Sequence, residues 1–361
     1  MSADNSRSDA LLPLRNLSNL VRCSRDRVRD GESNESSGMF SLSNFWENLN
    51  DAVKVTSQEA TKLSLIFSKP PSEEDCAEIA GCVQKSVLTL STVYFWLPKS
   101  QGVTLRKAVR DATVEVLDEL LQLTEVILSS PVHSLSQEQL MSTGGVWAAC
   151  DKFNQLPKDN RSAVLAVLTS YAGLVKDALA EMEECVCVCV ILCCSPLQAL
   201  AETEDPFADV LPDDDDDEDG EGVGGRGNQD TYWSPSDRLL VCECRGLMKA
   251  SGASLRKLSS AVRNSGSTET EENITQLDDL ADAAHDISPS VDDLALSLYP
   301  PVDRPAVNHN VCKLAGVLKK VLEITRSSHV CGEADVCWVQ FLSGAVQHNL
   351  EKLESLLSCG S

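Results

Sequence analysis

Aromatic side chains are scarce in this 361-residue chain, at 4%. That scarcity argues against a β-sandwich, whose strands favour aromatic and β-branched residues, and suits aliphatic helix packing. Long apolar runs are missing too, so the sequence predicts no segment of the roughly 18 residues needed to span a bilayer. The N-terminal stretch MSADNSRSDALLPL lacks a basic segment followed by an apolar core, which predicts no secretory signal. Positive charge is also short. Thirty-one Lys and Arg face 55 Asp and Glu, a net charge of −24. A phosphate backbone would repel such a chain, so nucleic acid is excluded as the main partner. Cysteine, by contrast, is plentiful. Fifteen of them, an odd number, read as reduced thiols of a cytosolic or nuclear protein rather than a disulfide framework.

The charge is concentrated. Residues 199–230 hold thirteen acids and one base, Arg226, a net of −12, so half the total sits in this segment. Its Asp and Gly content predicts an extended, disordered spacer kept open by self-repulsion.

Elsewhere the apolar spacing is helical. SDALLPLRNLSNLVRCSRDRVR places Leu14, Leu17, Val21 and Val28 on one face, a short amphipathic leader helix before the loop DGESNESSG. Phe45, Leu49, Ala52, Thr56, Ala60, Leu63 and Phe67 recur at three- and four-residue steps, the stripe of a bundle helix. Ser72 and Asp75 form a capping box for a helix running to Leu97. Leu105, Val109, Ala112, Val116, Leu120, Leu123 and Ile127 mark the next helix. The stretch 129–145, with Pro131 and Gly144-Gly145, reads as weakly defined. A further helix spans 156–184, with Leu168, Tyr171, Val175 and Met182 on one face. After the acidic segment, helices are predicted over about 236–263, 270–286, 290–298, 308–328 and 334–357. Ser290 is read as the cap of the third of these, with Asp293 closing its box and Pro300-Pro301 stopping it. The expected fold is all-α. It comprises a leader over 1–38, a helical bundle over 39–184, an anomalous Cys/Val insert over 185–198, the acidic linker over 199–230, and a second bundle over 231–361. A faint echo between GVTLRKAVR (102–110) and GASLRKLSSAVR (252–263) raises a duplicated bundle.

Motifs with chemical meaning fail on context. GEGVGG and GVGGRG match the dinucleotide fingerprint, but five aspartates precede them where a strand is required. Asp215, Asp217, Asp219 and Gly220 imitate an EF-hand, yet the twelfth position is Arg226 instead of a bidentate Glu. The five histidines, at 133, 285, 309, 329 and 348, form no HExxH and no i, i+4 pair. His329, Cys331 and Cys337 are the nearest thing to a zinc set, without the second ligand pair that would complete it. CEC (242–244) reads as two packed or exposed thiols, and RCSRDRVRD (22–30) as a solvated helix end whose basic character Asp26 and Asp30 dilute. Ser234-Pro235 and Ser288-Pro289 have the form of proline-directed phosphorylation sites, with helix initiation by a first-turn proline as the plainer reading. No catalytic, cofactor-binding or metal-ligating residue is therefore assigned.

The run CVCVCVILCC (185–194) is a separate matter. Ten apolar residues are too few for a bilayer, and no histidine or distant cysteine pair completes a thiolate metal site. Alternating TGT and GTG codons of a GT repeat translate as Cys-Val-Cys-Val, so 185–198 reads as translated repeat or intron sequence with no function. As protein, its alternation predicts an aggregation-prone strand.

Several stretches resemble the cyclin-D-binding protein family, also described as interactors of a Grb-like adaptor. They are FWENLNDAVKVTSQEATKLSLIFS, YFWLPKSQGVTLRKAVRDA, VWAACDKFNQLPKDNRSAVLAVLT, NQDTYWS and ISPSVDDLALSLYPPV with VLKKVLEITRSSH beyond it. The resemblance implies two helical domains and a non-enzymatic regulator, nuclear and cytoplasmic, that binds D-type cyclins and restrains the cell cycle through the retinoblastoma pathway. It also implies that the chain is itself helix-loop-helix-like without a basic DNA-contacting region, with helix-loop-helix proteins and a Grb-like adaptor as further partners. The residues alone support a partner-binding module that uses helix faces and grooves, with a cytoskeletal or adhesion-type scaffold as the second reading.

Overall fold

The structure, a computed structural model, describes residues 11–31, 40–69, 71–129, 136–193 and 233–358, the side chains of 185–193 and of Pro235 excepted. The acidic segment 199–230, with its fingerprint-like and EF-hand-like runs, lies outside these residues, as do 194–198 and most of the 30–38 loop. Among the described residues there is no strand. Eleven helices follow one another: α1 Leu12–Asp30, α2 Leu42–Ile66, α3 Glu73–Phe95, α4 Val103–Ser129, α5 Gln137–Asp151, α6 Asn160–Cys193, α7 Pro235–Ser265, α8 Glu271–His285, α9 Ile287–Leu298, α10 Arg304–Ser327 and α11 Glu333–Ser358. They divide into two compact units that meet in sequence between Ala163 and Val164.

In the first unit α1 packs on α3 and α4, α2 on α3 and α5, and α4 on α5. Every residue of the α2 and α4 stripes read from the sequence is buried. Helix α1 is not a leader. Leu14, Leu17, Val21 and Val28 are at most 1% exposed and belong to the same core as the α2 and α4 stripes. At about 1.5–3 kcal/mol for each fully buried aliphatic side chain, α1 is a substantial part of that core. Its arginines do not form a basic patch, because α4 supplies the counter-charges. Arg22 reaches Glu125 at 2.8 Å, while Arg25 and Arg29 reach Asp118 at 3.0 and 3.4 Å. Of the weakly defined stretch 129–145, residues 130–135 lie outside the described residues, and Gln137 onward is helical, as α5, capped by Ser136. A Cβ added at Gly145 would meet the Glu119 carboxylate of α4, the far end of a flexible side chain that can swing aside.

The second unit has its own core, built from α6 to α11. Here the expected division after residue 184 and the packing division differ. Val164, Leu168, Val175 and Met182 of α6 are buried in the second core, while Ala163 belongs to the first. The segment Asn160–Glu184 is also long and apolar enough to meet the length and composition of a membrane-crossing helix, contrary to the sequence expectation. One buried face in a core accounts for part of that apolarity. Beyond Glu184 the helix continues to Cys193, so the expected strand gives way to helix. Propagation from an established helix adds one hydrogen bond per residue fixed, whereas a lone strand has no partner.

Two local readings are corrected in this unit. Helix α9 begins at Ile287 with a single residue, Asp286, between it and the end of α8 at His285. Ser290 is thus inside the helix, 1% exposed, with its Oγ unpartnered among the described residues, and Asp293 pairs instead with Lys313 at 2.8 Å. Burial of Ile287, Val291 and Leu294 overrides the local cap pattern. Replacing Ser290 by alanine is therefore expected to leave stability unchanged or raise it by up to about 1 kcal/mol. A working cap would instead lose about 1 kcal/mol on the same change, and thermal melting separates the two. The internal echo is not structural either. Gly102 precedes α4 at φ +109°, whereas Gly252 lies deep inside α7.

Candidate interaction surface

The stretches that carry the family resemblance meet at two joints. In the first unit, the Trp46 indole N–H of α2 donates to the Lys158 carbonyl at 2.9 Å, and the Lys158 ammonium sits 4.1 Å from the centre of the same ring. Immediately afterwards the chain caps two helices at once. Asp159 accepts the Ser162 N–H at 2.7 Å at the start of α6, and buried Asn160 accepts the Leu105 N–H at 3.0 Å at the start of α4. Gly102 has no side chain to do the latter, so the cap comes from across the fold. Arg106, 5% exposed, donates to the carbonyls of Leu97 and Gly31, which end α3 and α1, and stacks 4.7 Å from the centre of the Tyr94 ring. Burial pushes its pKa down, opposed by Tyr94. A guanidinium on the open carbonyls of two helix ends satisfies acceptors that would otherwise be stranded.

In the second unit, Trp233 donates to the Leu298 carbonyl at 2.6 Å. Ser234 and Asp237 form a capping box at the start of α7, and Arg304 of α10 reaches Ser236 at 2.6 Å and Asp237 at 3.3 Å. Burial acts to raise the Asp237 pKa, but bonds from Ser234 and Arg304 outweigh it, and the net shift is downward. Ser234 thus serves helix initiation, as expected. Ser288 is 3% exposed inside α9.

The residues weighed as zinc ligands do not gather, and no cluster of three metal-ligating side chains exists among the described residues. His329 is a structural joint. Its Nε2 accepts the Ser267 N–H at 3.1 Å, which leaves the proton on Nδ1, 2.8 Å from the Gln276 Oε1. Burial lowers its pKa. Protonation would set a second N–H against that of Ser267. The unfolded chain binds this proton more readily, so the joint contributes fully above the ordinary histidine value of about 6.5 and weakens as pH falls below it. The melting temperature is expected to drop more between about pH 7.5 and about pH 5.5 in the unaltered chain than in His329→Gln.

Among the described residues no reactive cysteine or carboxylate site is assembled either. Cys244 is buried and Cys242 exposed, and burial raises the thiol pKa of Cys244 and pushes that of Cys150 up to about 12, away from the thiolate. The Asp292 pKa is raised, by desolvation first and then by Asp293 and Glu181, but this carboxylate stands on an exposed face of α9.

What remains is surface. Large apolar side chains stand exposed on several helices, including Trp96, Val103, Leu140, Met141, Leu239 and Leu296. A shallow groove follows the outer face of α3, with Gly81, Lys85, Leu88, Thr92 and Trp96 along it.

Comparison with known proteins decides the family. The N-terminal model described as Grap2 and cyclin-D-interacting matches residues 48–187, and the corresponding C-terminal model matches 213–323. The chain belongs to the Grap2 and cyclin-D-interacting family. Among relatives, the cyclin-D1-binding protein 1 homolog of Danio rerio is 72% identical over 363 residues, covering 100% of both chains. The homolog of Xenopus laevis is 50% identical over 95% of this chain and 98% of its own. The cyclin-D1-binding protein 1 of Homo sapiens is 38% identical over 95% of this chain and 92% of its own. In this family member the N-terminal match runs through Met182, although packing assigns that residue to the second core.

Proposed function

We propose that this chain binds a D-type cyclin and, through that contact, restrains cell-cycle progression and retinoblastoma-pathway transcription, with no reaction of its own. The observation that carries this reading is the full-length similarity to the cyclin-D1-binding protein 1 homolog of Danio rerio. The physical character of the chain supports it: the family stretches are spent on structural joints, and exposed helix faces are left for partners. Shared action in nucleus and cytoplasm, and contacts with helix-loop-helix proteins and a Grb-like adaptor, belong to the same proposal. Size-exclusion of purified chain mixed with purified cyclin D1 tests it. Co-elution of the pair is expected, and separate elution of the two would refute it.

A further inference from the structure

Tryptophan accounts for the choice of face. Of the five tryptophans, four donate the indole N–H within the chain: Trp46 to the Lys158 carbonyl, Trp147 to the Thr61 hydroxyl, Trp233 to the Leu298 carbonyl and Trp338 to the Asp335 carboxylate. Trp96 alone has no acceptor among the described residues, and it stands 47% exposed at the C-terminal end of α3. Leu88, 44% exposed, lies two turns earlier on the same face. Between them Thr92 turns its hydroxyl onto the Leu88 carbonyl at 2.7 Å, and Thr89 does the same to the Lys85 carbonyl at 2.8 Å. Both threonines thereby spend their polar atoms on their own helix, and the face is less polar than its composition. At Gly81 an added Cβ would meet nothing within 4 Å, so this helix glycine opens the groove without serving a contact of its own fold.

The charge of the face is unlike that of the chain. In a protein of net −24, no acidic residue stands between Glu78 and Asp111. Within that interval Lys85 and Lys99 are exposed and make no ion pair among the described residues. An apolar strip with a spare N–H donor and two unpaired ammonium groups is complementary to carboxylates flanking apolar side chains.

We infer that the outer face of α3, from Gly81 through Lys85, Leu88 and Thr92 to Trp96 at its end, with Lys99 in the turn that follows, is the docking surface for an acidic segment of the partner that carries apolar anchors. This rests on the cyclin-binding reading and names the face and the chemistry that it uses. Leu88 and Trp96 take the apolar anchors, the Trp96 N–H donates to a partner carboxylate, and Lys85 and Lys99 pair with further acids.

The test is titration of purified cyclin D1 into the full chain and into three surface variants. Trp96→Ala is expected to weaken binding by about thirtyfold, as an aromatic anchor would. Trp96→Phe, which keeps a ring and loses the donor, is expected to fall between. Lys85→Glu with Lys99→Glu is expected to weaken binding by about tenfold at low salt and to flatten its salt dependence. Leu239→Ser with Leu296→Ser, on the second unit, serves as control and is expected to bind as the unaltered chain. Hydrogen exchange on the unaltered chain gives a reading independent of any variant, with protection from Gly81 through the end of α3 to Lys99 expected on adding cyclin. Equal binding by all α3 variants, or protection elsewhere only, would overturn the face while leaving the cyclin reading intact. Failure of the unaltered chain to bind would overturn both. Protection of α3 in the concentrated chain alone would assign the face to a second copy and overturn the partner assignment.

Discussion

Replacing Gly102 by alanine is expected to destabilise the first bundle by about 1.5–5 kcal/mol, where the same change in an exposed helix interior would stabilise by about 1 kcal/mol. Two effects add. Gly102 has φ +109° and ψ 133°, a backbone conformation that side-chain-bearing residues rarely adopt, which costs roughly 1–3 kcal/mol. The new Cβ would also collide with the Asn160 amide and displace the cap of the Leu105 N–H, a further loss of roughly 0.5–2 kcal/mol. The steric part is separable. In an Asn160→Ala background the collision disappears, so Gly102→Ala is expected to cost less there than in the unaltered chain. Hydrogen exchange of the α4 amides reports the loss in the first bundle specifically. A Gly102→Ala chain whose α4 amides exchange as slowly as before would show that neither the conformation nor the cap matters.

Removal of residues 1–31 is expected to unfold the first bundle. The four aliphatic side chains of α1 in the core represent about 6–12 kcal/mol at about 1.5–3 kcal/mol each, comparable to the whole stability of an ordinary domain, about 5–15 kcal/mol. The deletion also uncovers the faces of α3 and α4 on which α1 packs, and it strips Arg106 of the Gly31 carbonyl. A leader helix resting on the surface would detach with little effect. Circular dichroism melting with exchange readout of α2 to α5 distinguishes the two. Leu17→Ala is the milder companion, with an expected loss of about 2–5 kcal/mol.

These two expectations also mark what sequence reading reaches. Periodic helices are legible: the α2 and α4 stripes are buried throughout, and the boxes at Ser72 with Asp75 and at Ser234 with Asp237 are in place. Local signals suffice there because capping partners sit three residues apart and apolar positions repeat with the helix. They fail where the decisive partner is distant. Asp159 has the position of a helix cap, but nothing near Asn160 shows that it caps α4, 55 residues earlier in sequence. Arg106 reads as one more helix cation until it is found buried on two helix ends. Helix α5 is hidden by Gly144-Gly145, since glycine is a poor helix former and the two together read as a break. At Ser290 a plausible local cap loses to burial of the residues around it. The docking face is half legible: the acid-free interval is in the sequence, while the spare N–H of Trp96 requires the other four tryptophans to be placed first.

Calorimetric titration of cyclin D1 into the full chain, with and without residues 185–198, decides whether the cyclin contact exists. Saturable binding of equal affinity in both forms is predicted, since the Cys/Val run takes no part in recognition. Absence of binding in both forms would refute the cyclin contact and leave family membership as a statement of fold.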